Sequence, residues 1–178
     1  MATYEEPKTK SPRVYLNFRG AELRQSFISH LEIALIRGGV NVFVDQPLYR
    51  GLESLFEVIE ESSVALVILS ERYTESEWCL NELVEIMERV KQGKLIAIPI
   101  FYKLNPSQVR RLDGDFGSKL WHLAKHTEFD KLKRWKEALE FVLAKKGMVL
   151  NEKRYVWILP SSSYRVLAII ECAAAIDQ

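Results

Sequence analysis

Short apolar runs alternate along the chain with segments in which apolar residues recur at helical spacing. The apolar runs, rich in β-branched and aromatic residues, predict strands over residues 13–18, 40–44, 64–70, 94–102 and 148–150. The amphipathic segments predict helices over residues 23–37, 53–61, 76–91, 116–126 and from 132 to before Gly147. Pro99 lacks an N–H for a sheet ladder, so it favours a place near an edge or a bulge for the fourth strand.

Strands that alternate with helices indicate an α/β fold with a parallel sheet and helices on both faces. In such sheets ligands bind beyond the carboxyl ends of the strands. Candidate chemistry is therefore sought in the four segments that follow these ends, which are residues 17–20, 45–51, 70–78 and 102–107.

Composition and charge narrow the class of protein. The chain has 178 residues, 48% hydrophobic and 28% charged, which is typical of one soluble globular domain. Its 25 Lys and Arg nearly balance 24 Asp and Glu, which argues against a dedicated nucleic-acid or membrane surface. Cys79 and Cys172 lie far apart in the sequence, and no signal segment or membrane-length apolar run is present, so an intracellular protein is expected.

Several common kinds of site are missing from the sequence. The eight glycines include no G-x-G, and there is no GK[ST] phosphate loop, so a nucleotide would have to be held in another way. His30, His122 and His126 have no third ligand at metal-binding spacing. A metal site is not predicted.

Five motifs occur in an order that resembles a known family. They are VYLNFRGAELR, SFISHL, VFVDQPLYRG, IEESSVALVILSERYTESEWCLNEL and IPIFYKLNPSQVRRLDGDFG. Together they resemble the TIR (Toll/interleukin receptor) domain of plant immune proteins over about residues 11–150. The resemblance implies a flavodoxin-like three-layer fold with a five-stranded parallel sheet. Residues 1–10 are expected to be disordered, residues 151–178 form a tail that matches nothing in the family, and a TIR-only protein is expected.

The resemblance also implies an activity. Many plant TIR domains, when self-associated, cleave NAD+ with release of nicotinamide in innate immune and cell-death signalling. NAD+ is then the substrate, no cofactor is needed, and the partners are other TIR domains and further copies of the chain. A cytoplasmic location is expected, with the nucleus left open as a second compartment. The alternative is a non-catalytic TIR adaptor that binds other TIR proteins by homotypic contacts.

Site residues follow from the same resemblance, motif by motif. The catalytic glutamate of the family falls on Glu82, and the substrate-binding positions fall on Arg19, Arg24 and Trp78. The loop after the second strand, which would gate the site, contributes Asp45, Leu48, Arg50 and Gly51. The residues expected to mediate self-association are Ser29, His30 and Ile33. The chain departs from the usual G-E-D-T-R with GAELR, and it has Asn105 where the family commonly has Asp.

Helical periodicity alone gives a different interpretation of Glu82. It places Trp78, Glu82, Glu85 and Arg89 on a stripe opposite the apolar face of their helix, which is typical of solvated residues. Trp78 is unusual on such a stripe, because a large aromatic side chain is seldom left in water without a reason. On the first helix, Ile33 and Ile36 also point away from the apolar face, which indicates a contact surface.

Overall fold

A computed structural model describes residues 13–44, 52–151 and 154–157 of the chain. Its sheet has six strands in the order β2-β1-β3-β4-β5-β6, parallel from β2 to β5 and antiparallel between β5 and β6. The strands are β1 (Arg13–Asn17), β2 (Asn41–Val44), β3 (Val64–Leu69), β4 (Ile96–Tyr102), β5 (Met148–Asn151) and β6 (Arg154–Trp157). The predicted five-stranded parallel sheet is confirmed, in the strand order of flavodoxin-like folds.

Helices join the strands and cover both faces of the sheet. They are α1 (Gly20–Leu23), α2 (Phe27–Arg37), α3 (Leu52–Glu60), α4 (Glu77–Lys91), α5 (Pro106–Arg111), α6 (Gly114–Ala124) and α7 (Phe129–Leu143). One apolar cluster packs α2 on one face of the sheet, and a larger one packs α4, α6 and α7 on the other. None of the helices in the described ranges is both long and apolar enough to cross a lipid bilayer.

One sequence expectation about the sheet needs correction. Strand β4 does not lie at an edge, because it pairs with β3 on one side and β5 on the other. Pairing with β5 begins only at Ile100, and Pro99 lies before it against Gly147, where a Cβ would come within 2.2 Å of the Pro99 carbonyl oxygen. The tail, left unassigned by sequence, contributes β6. The predicted boundaries at 1–10, 11–150 and 151–178 stay predictions, since residues 1–12 and 158–178 lie outside the described part.

The first predicted helix is divided. The chain forms α1, leaves helical geometry at Ser26 with φ −119° and ψ −108°, and resumes as α2. The sequence pattern predicted one continuous helix because Leu23 and Phe27, four residues apart on either side of the break, are both buried. The division places α1 directly after β1, beside the carboxyl end of the sheet where ligands bind.

The largest correction concerns the stripe on α4 that helical periodicity predicted to be exposed to solvent. Glu82 is only 3% exposed, Trp78 packs against the apolar core, and the Arg89 side chain is 12% exposed beside Glu60. The cause is that α4 contacts β1, β4, α3 and α7, so it is covered on more than one side. A single buried face, which the helical wheel assumes, does not apply to this helix.

Candidate active site

A cleft of about 840 Å³ lies at the carboxyl end of β1. Its walls come from the turn after β1, from α1 and from the first turn of α4, whose N-cap Ser76 accepts a hydrogen bond from the backbone N–H of Cys79. The lining residues are Phe18, Arg19, Gly20, Ala21, Glu22, Arg24, Gln25, Ser26, Ser76, Trp78 and Cys79. All three residues predicted to bind substrate, Arg19, Arg24 and Trp78, therefore share one cleft.

Glu82 lies one helical turn after Trp78 and is buried next to β1. Asn17, the last residue of β1, donates from Nδ2 to Glu82 Oε2 at 2.6 Å and to the Cys79 carbonyl oxygen at 3.4 Å. A charge-assisted hydrogen bond of this length is among the stronger ones that a carboxylate makes. Glu82 is not among the described residues that line the cleft. In this chain its carboxylate faces the interior beside the cleft.

Tyr73 completes the surroundings of Asn17. Its hydroxyl donates to Asn17 Oδ1 at 2.5 Å and lies 3.2 Å from the Cys79 carbonyl oxygen. Burial raises the pKa of the Tyr73 phenol well above its ordinary value of 10.0, and the nearby Cys79 and Glu82 add to the effect. The hydroxyl therefore keeps its proton and acts as a donor.

The sequence analysis marked the segments 17–20 and 70–78, which contain Asn17 and Tyr73, but singled out neither residue. A signal for Asn17 was present, because it is a polar residue that ends an otherwise apolar strand and points into a buried layer. Tyr73 carried no such signal, since a tyrosine after a strand is equally typical of a loop.

Arg19 is held at the cleft by a second group of charges. Its Nε lies 3.8 Å from Glu75 Oε2, and Glu75 also accepts hydrogen bonds from Arg72 Nε at 3.0 and 3.1 Å. Lys119 Nζ is 3.9 Å from Glu75 Oε1. Three cations thus surround one carboxylate, which leaves the group positive and orients Arg19 beside the cleft.

This arrangement gives stability a pH dependence at Glu75. The hydrogen bond from Arg72 holds the pKa of the Glu75 carboxyl below its ordinary value of 4.5, with help from the charges of Lys119 and Arg19. A depressed folded-state pKa stabilises the protein above the unfolded-state value and ceases to do so as pH falls through the folded-state value. Glu75→Gln should therefore lower the free energy of unfolding at pH 7, and by less at pH 3, as measured by urea denaturation. An equal difference at both pH values would contradict this.

The remaining predicted binding residue, Arg24, is also fixed by its neighbours. Its guanidinium lies over the Phe18 ring, 5.2 Å from the centroid, which is within the range of a cation–π interaction. Glu22, which also lines the cleft, accepts a hydrogen bond from the buried Ser70 hydroxyl at 2.7 Å. This hydrogen bond ties α1 to the end of β3, and the two arginines of the cleft flank α1 as its N-cap and C-cap residues.

The other predicted site residues lie apart from this cleft. The gating residues Asp45, Leu48, Arg50 and Gly51 fall outside the described residues. Ser29 donates to the Ser26 carbonyl oxygen at 2.8 Å, and His30 is half-buried on α2. Ile33 is 49% exposed and Ile36 is 56% exposed, as the helical pattern predicted. Their part in self-association stays a prediction.

The fold and the cleft define a class: a doubly wound α/β domain with a cleft lined by two arginines after its first strand and a buried carboxylate beside it. Within that class, the family profile of the TIR domain matches residues 13–157. The chain belongs to the TIR domain family.

Its relatives include plant disease resistance proteins. Disease resistance-like protein CSA1 of Arabidopsis thaliana is 49% identical over 148 residues, which are 82% of this chain and 12% of that protein. Disease resistance protein RBA1 of the same plant is 46% identical over 145 residues, which are 80% of this chain and 40% of that protein. The chain thus spans less than half of each of these two relatives.

A solved structure with the same fold belongs to an assembly. The TIR domains of the activated Roq1 resistosome, described as directly recognizing the pathogen effector XopQ, superpose with a TM-score of 0.74 at 33% identity. The match covers 91% of this chain and 99% of that one.

Proposed function

We propose that this TIR domain cleaves NAD+ at the bond between nicotinamide and ribose, in plant immune and cell-death signalling, and that self-association activates it. The observation that carries the proposal is the buried Glu82 carboxylate, held by Asn17 next to a cleft that contains Arg19, Arg24 and Trp78. Family membership and the plant relatives support the same proposal.

The chemistry requires a carboxylate but not a proton donor. As the glycosidic bond breaks, its electron pair leaves with nicotinamide, which departs neutral, and positive charge develops at the ribose C1′. The Glu82 carboxylate stabilises that charge and accepts hydrogen bonds from ribose hydroxyls. Water then adds at C1′ and releases one proton, which gives ADP-ribose, or a nucleophile of the same nucleotide adds and gives a cyclic product.

The cleft supplies the contacts for the rest of the nucleotide. Arg19 and Arg24 carry planar guanidinium groups, which suit the pyrophosphate through paired charge-assisted hydrogen bonds. Trp78 offers a flat apolar surface for a ring or a ribose. A volume of about 840 Å³ is within the range of small-molecule sites.

Activation by assembly is proposed because the substrate needs access to Glu82. In a single chain this carboxylate is 3% exposed and lies beside the cleft rather than on its wall. Contacts between copies would have to shift the first turn of α4, or the segment that leads into it, before the ribose could reach the Glu82 carboxylate. Such a shift is a population change that binding of another copy drives.

The test is nicotinamide release from NAD+ over a range of protein concentrations, followed by chromatography. We expect the rate per chain to rise with protein concentration, because assembly opens the site. No release at any concentration, in a protein that still binds other TIR domains, would favour the adaptor alternative.

Self-association through α2 is tested separately. Replacing His30 and Ile33 together by glutamate should convert oligomers to monomers and lower nicotinamide release to the level of dilute protein, because an apolar contact surface becomes charged. The fold should be unaffected, since Ile33 is exposed and His30 is half-buried. Lys133→Glu, on α7, changes the net charge equally and is the matched control. An unchanged oligomeric state by light scattering would contradict the assignment.

A further inference from the structure

The hydrogen bonds around Glu82 form a chain that begins at Tyr73. Tyr73, Asn17 and Glu82 are all buried. The hydroxyl of Tyr73 donates to the Asn17 amide oxygen at 2.5 Å, and the Asn17 amide nitrogen donates to the Glu82 carboxylate at 2.6 Å. Buried polar chains of this kind hold their members in one arrangement when each group is satisfied.

The orientation of the Asn17 amide follows from the groups on its two sides. On one side the Glu82 carboxylate and the Cys79 carbonyl are both acceptors, so the NH2 group must face them. A half-turn of the amide would place its oxygen against two other acceptors. The Tyr73 hydroxyl, which keeps its proton, stabilises the observed orientation by donating to the amide oxygen on the other side.

We propose that Asn17 and Tyr73 are positioning residues for the Glu82 carboxylate, with Tyr73 acting through Asn17. The inference rests on the proposed cleavage of NAD+ and specifies how the chain orients its catalytic group. Neither residue is among the described residues that line the cleft, so neither is expected to bind the nucleotide. A carboxylate that is free to rotate would stabilise the developing charge at C1′ less well.

The proposal predicts a particular kinetic change. Tyr73→Phe removes one hydroxyl and keeps the ring, and Asn17→Leu removes the amide at nearly constant volume. Asn17→Leu, which removes a hydrogen bond to the charged carboxylate, should lower kcat for nicotinamide release on the order of 10- to 100-fold. Tyr73→Phe, which removes a hydrogen bond between neutral groups, should lower it about 3- to 10-fold. Both variants should leave KM within about twofold. Initial rates over a range of NAD+ concentrations give both constants.

Thr74→Val is the matched control. Thr74 adjoins Tyr73, is equally buried and donates to the Phe116 carbonyl oxygen at 2.6 Å, so its replacement also removes a buried hydrogen bond. Its hydroxyl donates to Phe116 on α6 and so lies outside the hydrogen bonds that join Tyr73, Asn17 and Glu82. We expect its kcat to equal that of the wild type, with thermal unfolding measured for every variant to show that it is folded at the assay temperature.

The double variant Tyr73→Phe with Asn17→Leu tests whether Tyr73 acts through Asn17. If it does, the double variant should be no slower than Asn17→Leu alone, because the second change removes nothing further from Glu82. Effects that multiply, or a loss in Thr74→Val as large as in Tyr73→Phe, would overturn the inference. An unchanged kcat, or a rise in KM alone, in Tyr73→Phe and Asn17→Leu would also overturn it. In each of these cases an active wild type would leave the proposed function standing. An inactive wild type would overturn both.

Discussion

Replacing Glu82 by glutamine is expected to lower the rate of nicotinamide release by roughly 100- to 1,000-fold, the scale of losing one preorganised electrostatic group. Glutamine has nearly the same volume and keeps an oxygen that accepts from Asn17, so packing beside β1 is retained. What it lacks is the negative charge that stabilises the cationic ribose. The measurement is kcat at a saturating NAD+ concentration and at the protein concentration where the wild type is assembled.

Glu77→Gln is the matched control for this change. Glu77 lies in the first turn of α4, is exposed and pairs with Lys131. The substitution therefore removes one carboxylate from the same helix, at a residue that does not line the cleft and does not bond to Asn17. Its rate should match the wild type. A Glu82→Gln variant that keeps its rate within about tenfold of the wild type would show that another group stabilises the transition state.

The strands were predictable because their signals are local. Buried parallel strands read as continuous apolar runs, and β3 and β4 follow that pattern over nearly their whole length. The exception at Pro99 is instructive. Its missing N–H predicted an edge, but the strand next to it begins pairing one residue later, so an interior strand tolerates the proline. Where a neighbouring strand starts depends on the tertiary fold, which a local pattern does not contain.

The site was only partly predictable, and for a related reason. Motif resemblance placed Arg19, Arg24 and Trp78, and the structure brings them to one cleft. Periodicity predicted a solvated Glu82, and it failed because helix α4 is covered by β1 as well as by its neighbouring helices. Asn17 and Tyr73 are distant in sequence from each other, and their hydrogen bond exists only because the end of β1 meets the chain after β3.

The same helix links the site to the stability of the whole domain. Trp135 on α7 is fully buried, and its indole N–H donates to Asn81 Oδ1 on α4 at 2.9 Å. Asn81 is the residue before Glu82. The packing of α7 on α4 therefore fixes the helix that carries the proposed catalytic group. Loss of that packing should lower the free energy of unfolding and also disturb the position of Glu82.

Trp135→Ala is expected to lower the free energy of unfolding by about 3–5 kcal/mol, because it leaves a large cavity in the core. For a chain of this length, that loss corresponds to a fall in Tm on the order of 10 °C. Trp135→Phe should cost less, since it keeps most of the ring volume and loses chiefly the bond to Asn81. Urea denaturation monitored by circular dichroism gives these differences.

Trp121→Ala is the matched control for this core substitution. Trp121 on α6 is 44% exposed and its indole N–H donates to the Leu112 carbonyl oxygen, so removing the same side chain there should cost less, about 1–2 kcal/mol. Equal losses for Trp121→Ala and Trp135→Ala would mean that α7 does not hold α4 through a packed core. In that case the orientation of Glu82 would depend on the contacts of α4 with β1, β4 and α3, together with the hydrogen bond from Asn17.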